Sequence, residues 1–131
     1  MQFIEAILKF FGRIFTGNSF RSKYRVKKIK HLPKILKSDK WQVIDIRPGA
    51  SFETSHLIDS INIDHLTFKL RYFKKLDRNK KILLINEDYR SHLEIYQTLD
   101  KRRIKSYILV GGYKEVRVTG FLDKYTTFKT S

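Results

Sequence analysis

The feature that most constrains the fold is a short apolar run over residues 82–85, followed by a polar loop and an amphipathic segment. An unbroken aliphatic run is typical of a strand buried on both faces of a parallel sheet. After the loop, Leu93, Tyr96 and Leu99 have the spacing of a helix, which is predicted to begin at Arg90. Ligands of open α/β sheets bind beyond the carboxyl ends of strands, so this loop is the place to expect a site.

Four other segments have the short apolar content of strands, with helical spacing between them: residues 20–30, 41–46, 61–63 and 106–110. This alternation predicts an α/β fold with a mainly parallel five-stranded sheet flanked by helices. The 131 residues suffice for one such domain and an N-terminal appendage. The predicted parts are an amphipathic helix and hinge over residues 1–19, a domain over 20–120 and a loosely attached tail over 121–131.

Residues 2–15 have the pattern of a strongly amphipathic helix, with its polar side chains confined to one sector. Charged residues within so short a run make it a poor membrane span, so the helix is predicted to lie on a membrane surface. The alternative is that the helix folds back onto the sheet. The side chains expected to enter the lipid are Phe3, Ile7, Phe10, Phe11, Ile14 and Phe15.

The formal net charge of +15 indicates an anionic partner, either a membrane surface, a nucleic acid or an acidic protein. Residues 21–40 carry nine Lys or Arg against one Asp. The cations predicted to join the membrane contact are Lys23, Arg25, Lys27 and Lys28. Nucleic-acid binding through the same segment is a weaker alternative, since the segment has no reader motif and few aromatic residues.

The chain contains no cysteine, which excludes disulfides, thiolate metal sites and a cysteine nucleophile. Its four histidines show no metal-ligand spacing with carboxylates. The sequence therefore predicts neither a metal site nor a cofactor.

Three separated motifs, in this order, resemble the rhodanese-like domain family and together cover about residues 24–118. The segment VIDIR, residues 43–47, is similar to the family's apolar-Asp-apolar-Arg strand end. SFETSHLIDSINI, residues 51–63, is similar to the segment that carries the family's histidine. The strand and loop ILLIN with RS, followed by ILVGGY, resemble the active-loop strand and the Gly-Gly exit.

The resemblance implies the scaffold of a sulfurtransferase without its catalytic cysteine. In active members a cysteine at the end of the apolar strand accepts sulfur as a persulfide, within a ring of backbone N–H groups. Asn86 occupies that position here, and an amide is no nucleophile at neutral pH. The loop is also short, lacks the family's glycine, and carries Glu87 and Asp88, whose charges repel anions. The degenerate loop comprises Asn86, Glu87, Asp88, Tyr89, Arg90 and Ser91.

The remaining family positions are Asp45, Arg47, His56, Gly111 and Gly112, which are interpreted as structural. The first two could face a ligand, but such a pair more often ties the end of the sheet to its loops. His56 is either a general base or, without a nucleophile nearby, a hydrogen-bond partner of loop backbone. At the predicted helix start, Arg90 and Ser91 could bind a small anion weakly, or the serine could be a cap.

These observations predict a non-catalytic rhodanese-like binding or scaffold module, peripheral to the inner, cytoplasmic face of a membrane, with an unknown protein partner. The alternatives are a divergent sulfurtransferase or phosphatase-like enzyme that uses another residue, and a nucleic-acid-binding module.

Overall fold

The computed structural model describes residues 23–120 and 122–129 of the chain. Seven strands are present in the described residues: β1 (Val26–Lys27), β2 (Trp41–Asp45), β3 (Ser55–Leu57), β4 (Ile61–Asn62), β5 (Lys81–Ile85), β6 (Ser106–Leu109) and β7 (Thr126–Phe128). The α-helices are α1 (Leu32–Leu36), α2 (Gly49–Thr54), α3 (Phe68–Lys75), α4 (Leu93–Lys101) and α5 (Gly112–Thr119). The predicted helix over residues 2–15 lies outside the described residues.

Five of these strands form one sheet in the order β1-β6-β5-β2-β4, with every neighbouring pair parallel. The predicted α/β fold with a mainly parallel five-stranded sheet is therefore confirmed. All five strands of this sheet run in the same direction. The loops that follow their carboxyl ends therefore lie at one end of the sheet, and the segments that lead into the strands lie at the other.

The central strand β5 explains why its sequence is apolar without alternation. Ile82 and Leu84 join a core cluster with α3 and α4, whereas Leu83 and Ile85 join a second cluster with α1 and α5. Successive side chains of a strand point to opposite faces, and helices cover both faces here. Every side chain of the run is consequently buried.

The C-terminal segment differs from the predicted loose tail. Leu122 is fully buried, and β7 pairs antiparallel with β3 to form a second, two-stranded sheet. The main-chain N–H of Ile58 also donates to Tyr125 O at 2.7 Å. Residues 122–129 are thus part of the folded domain, because their apolar residue and backbone groups find partners more than 60 residues earlier in the chain.

Two helix boundaries also differ from the predicted ones. In the sequence, the turn residues Pro48 and Gly49 predict a brief helix over residues 50–56. In the structure this helix ends at Thr54, and His56 lies in β3. The helix expected from Arg90 begins at Leu93, after His92 in the left-handed conformation. A residue in the left-handed conformation cannot continue a right-handed helix, so the helix starts after His92.

Candidate functional site

Asn86 follows the last residue of β5 and closes the loop with its own side chain. Its amide Nδ2 donates to Ser91 O at 3.0 Å, and its Oδ1 accepts from the main-chain N–H of Glu87 at 2.8 Å. The residue is only 9% exposed. The amide therefore bridges both sides of the loop and occupies the interior, where the resemblance implies a sulfur-carrying cysteine in active members.

The space behind the loop is very small. It measures about 10 Å³ and is lined mainly by apolar side chains, among them Ile46, Tyr96 and Ile108. A cavity of this size holds about one water molecule. The space behind the loop is thus too small for an anion of the size of thiosulfate.

The outer part of the loop is held by Asp88. Its Oδ1 accepts from the N–H of Arg90 at 2.9 Å, and its carbonyl oxygen accepts from the N–H of Ser91 at 3.1 Å. The guanidinium of Arg90 lies 5.5 Å from the ring of Tyr89. These bonds close the loop over residues 88–91, and α4 starts only after His92, which has the left-handed conformation, so Ser91 is not its cap.

Glu87 carries the main electrostatic feature of the site. Its carboxylate accepts hydrogen bonds from Nη1 and Nη2 of Arg117 on α5, and the bond from Nη1 measures 3.1 Å. Arg47 Nη1 lies 3.9 Å from Oε2 of the same carboxylate. The hydrogen bond from Arg117 lowers the pKa of Glu87, and the charges of Arg117, Arg47 and Lys114 lower it further. The same hydrogen bond raises the pKa of Arg117. The cations nearest the loop therefore face a carboxylate of this chain instead of a bound anion.

Asp45 and Arg47 form a fully buried ion pair at the carboxyl end of β2. Arg47 Nη2 donates to Asp45 Oδ2 at 2.8 Å and to Ser55 O at 2.7 Å, and Nε donates to Asp45 Oδ1 at 3.0 Å. The guanidinium carbon lies 3.7 Å from the ring centroid of Tyr113. The pair therefore ties β2 to β3 and α5, as expected of a structural pair.

Gly112 permits the close approach of α5 to the loop. It has a φ of +68°, and a Cβ at this position would lie 2.5 Å from Glu87 O. This proximity lets the N–H of Tyr113 donate to Asn86 O at 2.8 Å and that of Lys114 donate to Glu87 O at 3.2 Å. The preceding Gly111 has a φ of +90°. The Gly-Gly exit therefore fixes the loop by its backbone.

His56 contacts a helix instead of the loop. Its Nδ1 lies 2.7 Å from Phe52 O in α2, and its ring stacks on the ring of Phe52 with centroids 3.7 Å apart. Elsewhere the rings of His65 and His92 stack at 3.8 Å. Among the described residues, no group of three or more His, Asp or Glu side chains is placed to hold a metal ion.

The cations predicted to contact a membrane have different surroundings. Lys23 is exposed, but Arg25 pairs with Asp100 at 2.9 Å and donates from Nε to Ser106 O at 3.0 Å. Lys27 Nζ lies 5.6 Å from the ring centroid of Trp41. Lys28 is partly buried at the end of β1. Arg25 and Lys27 thus pack on their own domain, and the six apolar side chains predicted to enter lipid lie outside the described residues.

Sequence reasoning missed two residues that complete the site, Tyr113 and Arg117. Tyr113 is 1% exposed and donates from its hydroxyl to Ser55 Oγ at 2.9 Å. The two residues are four apart in α5 and thus share a face of the helix. That spacing, directly after Gly112, was the available signal, although nothing local identifies Glu87 as the partner of Arg117.

The comparisons agree with this geometry. The sequence model of the rhodanese-like domain family matches residues 28–118. No curated protein sequence matches the chain significantly. Several solved structures share the fold. A rhodanese-related protein from Thermoplasma volcanium is 21% identical, with a TM-score of 0.67 over 75% of this chain and 95% of that one. A rhodanese-like domain protein from Staphylococcus aureus is 15% identical, with a TM-score of 0.60 over 67% and 86%.

A larger protein contains the same unit. Bacillus anthracis CoADR-RHD is 16% identical, with a TM-score of 0.71, and the match covers 86% of this chain but 19% of that one. These identities show the fold alone, whereas the family match extends over most of the chain. The chain therefore belongs to the rhodanese-like domain family.

Proposed function

We propose that this protein is a catalytically inactive rhodanese-like module that binds a protein partner at the cytoplasmic face of a membrane. The observation that carries the proposal is the amide of Asn86 in the place of the family's cysteine, bonded across the loop. Sulfur transfer needs a thiolate that attacks and then carries the sulfur atom. The chain contains no cysteine at any position.

The surroundings of Asn86 support the same conclusion. The loop carries two adjacent carboxylates, Glu87 and Asp88, and the pairing of Glu87 with Arg117 occupies a nearby cation. An anionic sulfur donor would meet repulsion from these carboxylates, and the space behind the loop is too small to receive it. A loop closed by its own hydrogen bonds suits a surface that binds a partner better than a site that turns over a substrate.

A protein contact near the same end of the sheet is supported by two leucines. Leu66 and Leu70 follow the carboxyl end of β4 and are 81% and 74% exposed. Exposed apolar surface marks protein-binding sites when it extends over several side chains, so these two leucines are the ones we expect at such a contact.

Membrane attachment rests on the amphipathic pattern of residues 2–15 and on the net charge of +15. No helix among the described residues has the length and apolar content needed to cross a bilayer. The proposed attachment is therefore peripheral, with an apolar helix face as one signal and basic side chains as the other.

A thiosulfate:cyanide assay on the purified full chain tests the catalytic half of the proposal. We expect no thiocyanate above that of a heat-treated sample. Turnover that exceeds this control would favour the alternative of a divergent enzyme with another nucleophile.

Vesicle sedimentation of the full chain tests the membrane half. We expect binding to vesicles that contain phosphatidylglycerol, weak binding to pure phosphatidylcholine, and a sharp loss when Phe10 and Phe11 are both replaced by Ser. The melting temperature in lipid-free buffer should change little in that variant. A fall of many degrees would show instead that the helix packs on its own domain.

A further inference from the structure

Two basic segments that are separate in the sequence meet in the fold. Residues 74–81 carry five Lys or Arg and one Asp, and residues 101–105 carry four Lys or Arg. The first segment leads from the end of α3 into β5, and the second leads from the end of α4 into β6. Because β5 and β6 are parallel neighbours, both segments lie at the end of the sheet opposite to the Asn86 loop.

Direct contacts join the two segments. Arg78 Nη2 donates to Arg102 O at 3.2 Å, and the N–H of Ile82 donates to Lys105 O at 3.2 Å. All of their basic side chains are exposed except that of Lys80, which is partly buried. We define the basic end as residues 74–81 and 101–105; its nine cations against one Asp give it a net charge of +8.

The chain enters the described domain at this same end. Strand β1 runs parallel to β6 with Val26 opposite Ile108, and Arg25 Nε reaches Ser106 O, so the chain enters β1 from the side on which β6 begins. Arg25 pairs with Asp100, which precedes the second basic segment directly. Only residues 16–22 separate the described chain from the amphipathic segment 2–15. A chain of seven residues reaches at most about 25 Å, which limits the distance between that segment and the basic end.

The basic end also holds a cleft suited to a phosphate group. Its volume is about 150 Å³, and it is lined by Arg78 and Arg102 together with Tyr72, Leu76 and Ile104. Tyr72 and Ile104 are buried in the core and give the cleft an apolar floor, whereas Arg78 and Arg102 are exposed. Planar guanidinium groups bind two phosphate oxygens at once, which a lysine ammonium cannot do.

We propose that the basic end, and not the 21–40 segment as a whole, faces the anionic lipid, with a lipid phosphate group in the Arg78–Arg102 cleft. This inference rests on the proposed membrane attachment and specifies its surface. Residues 21–40 are spread over the domain: Arg25 and Lys27 pack on it, and Lys30 follows the carboxyl end of β1.

A lipid surface fits the basic end better than a nucleic acid does. Single-stranded nucleic acids are bound by exposed aromatic rings between cations, but the aromatic residue of the cleft, Tyr72, is only 8% exposed. An apolar segment that could enter a bilayer is tethered at the same end. Both attachment signals would then face one plane.

The test compares two triple variants of the full chain in vesicle sedimentation, with phosphatidylglycerol in phosphatidylcholine at about 0.1 M salt. The first is Lys101→Gln, Arg102→Gln and Lys105→Gln at the basic end. The matched control is Lys30→Gln, Lys69→Gln and Lys114→Gln, three exposed lysines that follow the carboxyl ends of β1, β4 and β6. Each cation near an anionic surface changes affinity by about fivefold, so we expect a loss on the order of 100-fold for the first variant and only a few-fold for the control.

Equal losses in both variants, or a larger one in the control, would overturn the inference while the membrane attachment stands. Absence of binding by the unmodified chain would overturn the attachment itself, and this inference with it. A basic-end variant that keeps its vesicle affinity but loses affinity for duplex DNA would assign the surface to nucleic acid. Melting curves check that both variants fold, and Lys74→Gln with Lys75→Gln and Lys81→Gln is a second variant of the same end.

The cleft has its own test, which keeps the charge constant. Arg78→Lys with Arg102→Lys should lose about tenfold in affinity for the anionic vesicles, because a lysine makes no bidentate contact. Inorganic phosphate at equal ionic strength should compete with vesicles for the unmodified chain less well than phosphatidylglycerol does. An unchanged affinity of the double variant would overturn the assignment of the cleft, and equal competition would assign it to free phosphate.

Discussion

At the scale of single residues, the identity of residue 86 does not by itself decide whether the loop can carry sulfur. We predict that Asn86→Cys forms little or no persulfide, seen as the mass gain of one sulfur atom after incubation with thiosulfate. The carboxylates of Glu87 and Asp88 disfavour a thiolate and repel the donor, and the space behind the loop holds about one water. The control is Asn79→Cys in an exposed turn. A mass gain well above that of the control would show that the acidic loop is a weaker barrier than we infer.

Glu87 gives a second prediction at this scale, a pH dependence of stability. Its hydrogen bond with Arg117 lowers the pKa of the folded-state carboxyl below the ordinary value of 4.5. The folded state then binds fewer protons than the unfolded state, so the stabilisation is present above pH 4.5 and is lost as the pH falls through the lowered pKa. Glu87→Gln should therefore lower the free energy of unfolding at neutral pH, by less than about 1 kcal/mol for so exposed a pair, and the difference should vanish in acid.

Urea unfolding at a series of pH values measures this difference, with Glu53→Gln on α2 as the exposed control. A difference between wild type and Glu87→Gln that grows as the pH falls would contradict the assignment of the ion pair.

At the scale of elements, the pairing of β3 with β7 makes the C-terminal segment part of the core. Leu122 is fully buried, so Leu122→Ala should lower the free energy of unfolding by about 2–5 kcal/mol. Phe128 is 55% exposed in β7, and Phe128→Ala should cost about 0.5 kcal/mol or less. Urea denaturation of both variants makes the comparison. Equally small losses of unfolding free energy in both variants would show that residues 122–129 are the loosely attached tail expected from the sequence.

At the scale of the whole molecule, a net charge of +15 on 131 residues implies self-repulsion in the folded state. We predict that sodium chloride raises the melting temperature, by on the order of 5 °C between low and moderate salt, because it screens this repulsion. The rise should be smaller in the variant with Lys101, Arg102 and Lys105 replaced by Gln. A melting temperature that falls with salt would mean that surface ion pairs, such as Arg25 with Asp100, outweigh the repulsion.

Several features of this protein follow from the sequence by itself. The apolar run of β5 predicts a strand covered on both faces, and the order of three motifs predicts the family. The absence of cysteine excludes the sulfur-carrying residue of active members. Each of these is a local or compositional property. The burial of a strand can be inferred from its consecutive residues, and the absence of cysteine can be read directly from the composition.

Other features depend on residues far apart in the chain, and only the tertiary structure decided them. Arg117 pairs with Glu87 because Gly112 lets α5 approach the loop, and α4 starts at Leu93 because His92 before it has the left-handed conformation. The basic end forms because the parallel neighbours β5 and β6 bring residues 74–81 and 101–105 to the same end of the sheet. Sequence periodicity reports which side of an element is buried, but it carries no information on which distant element covers it, and that pairing is set by the packing of the whole chain.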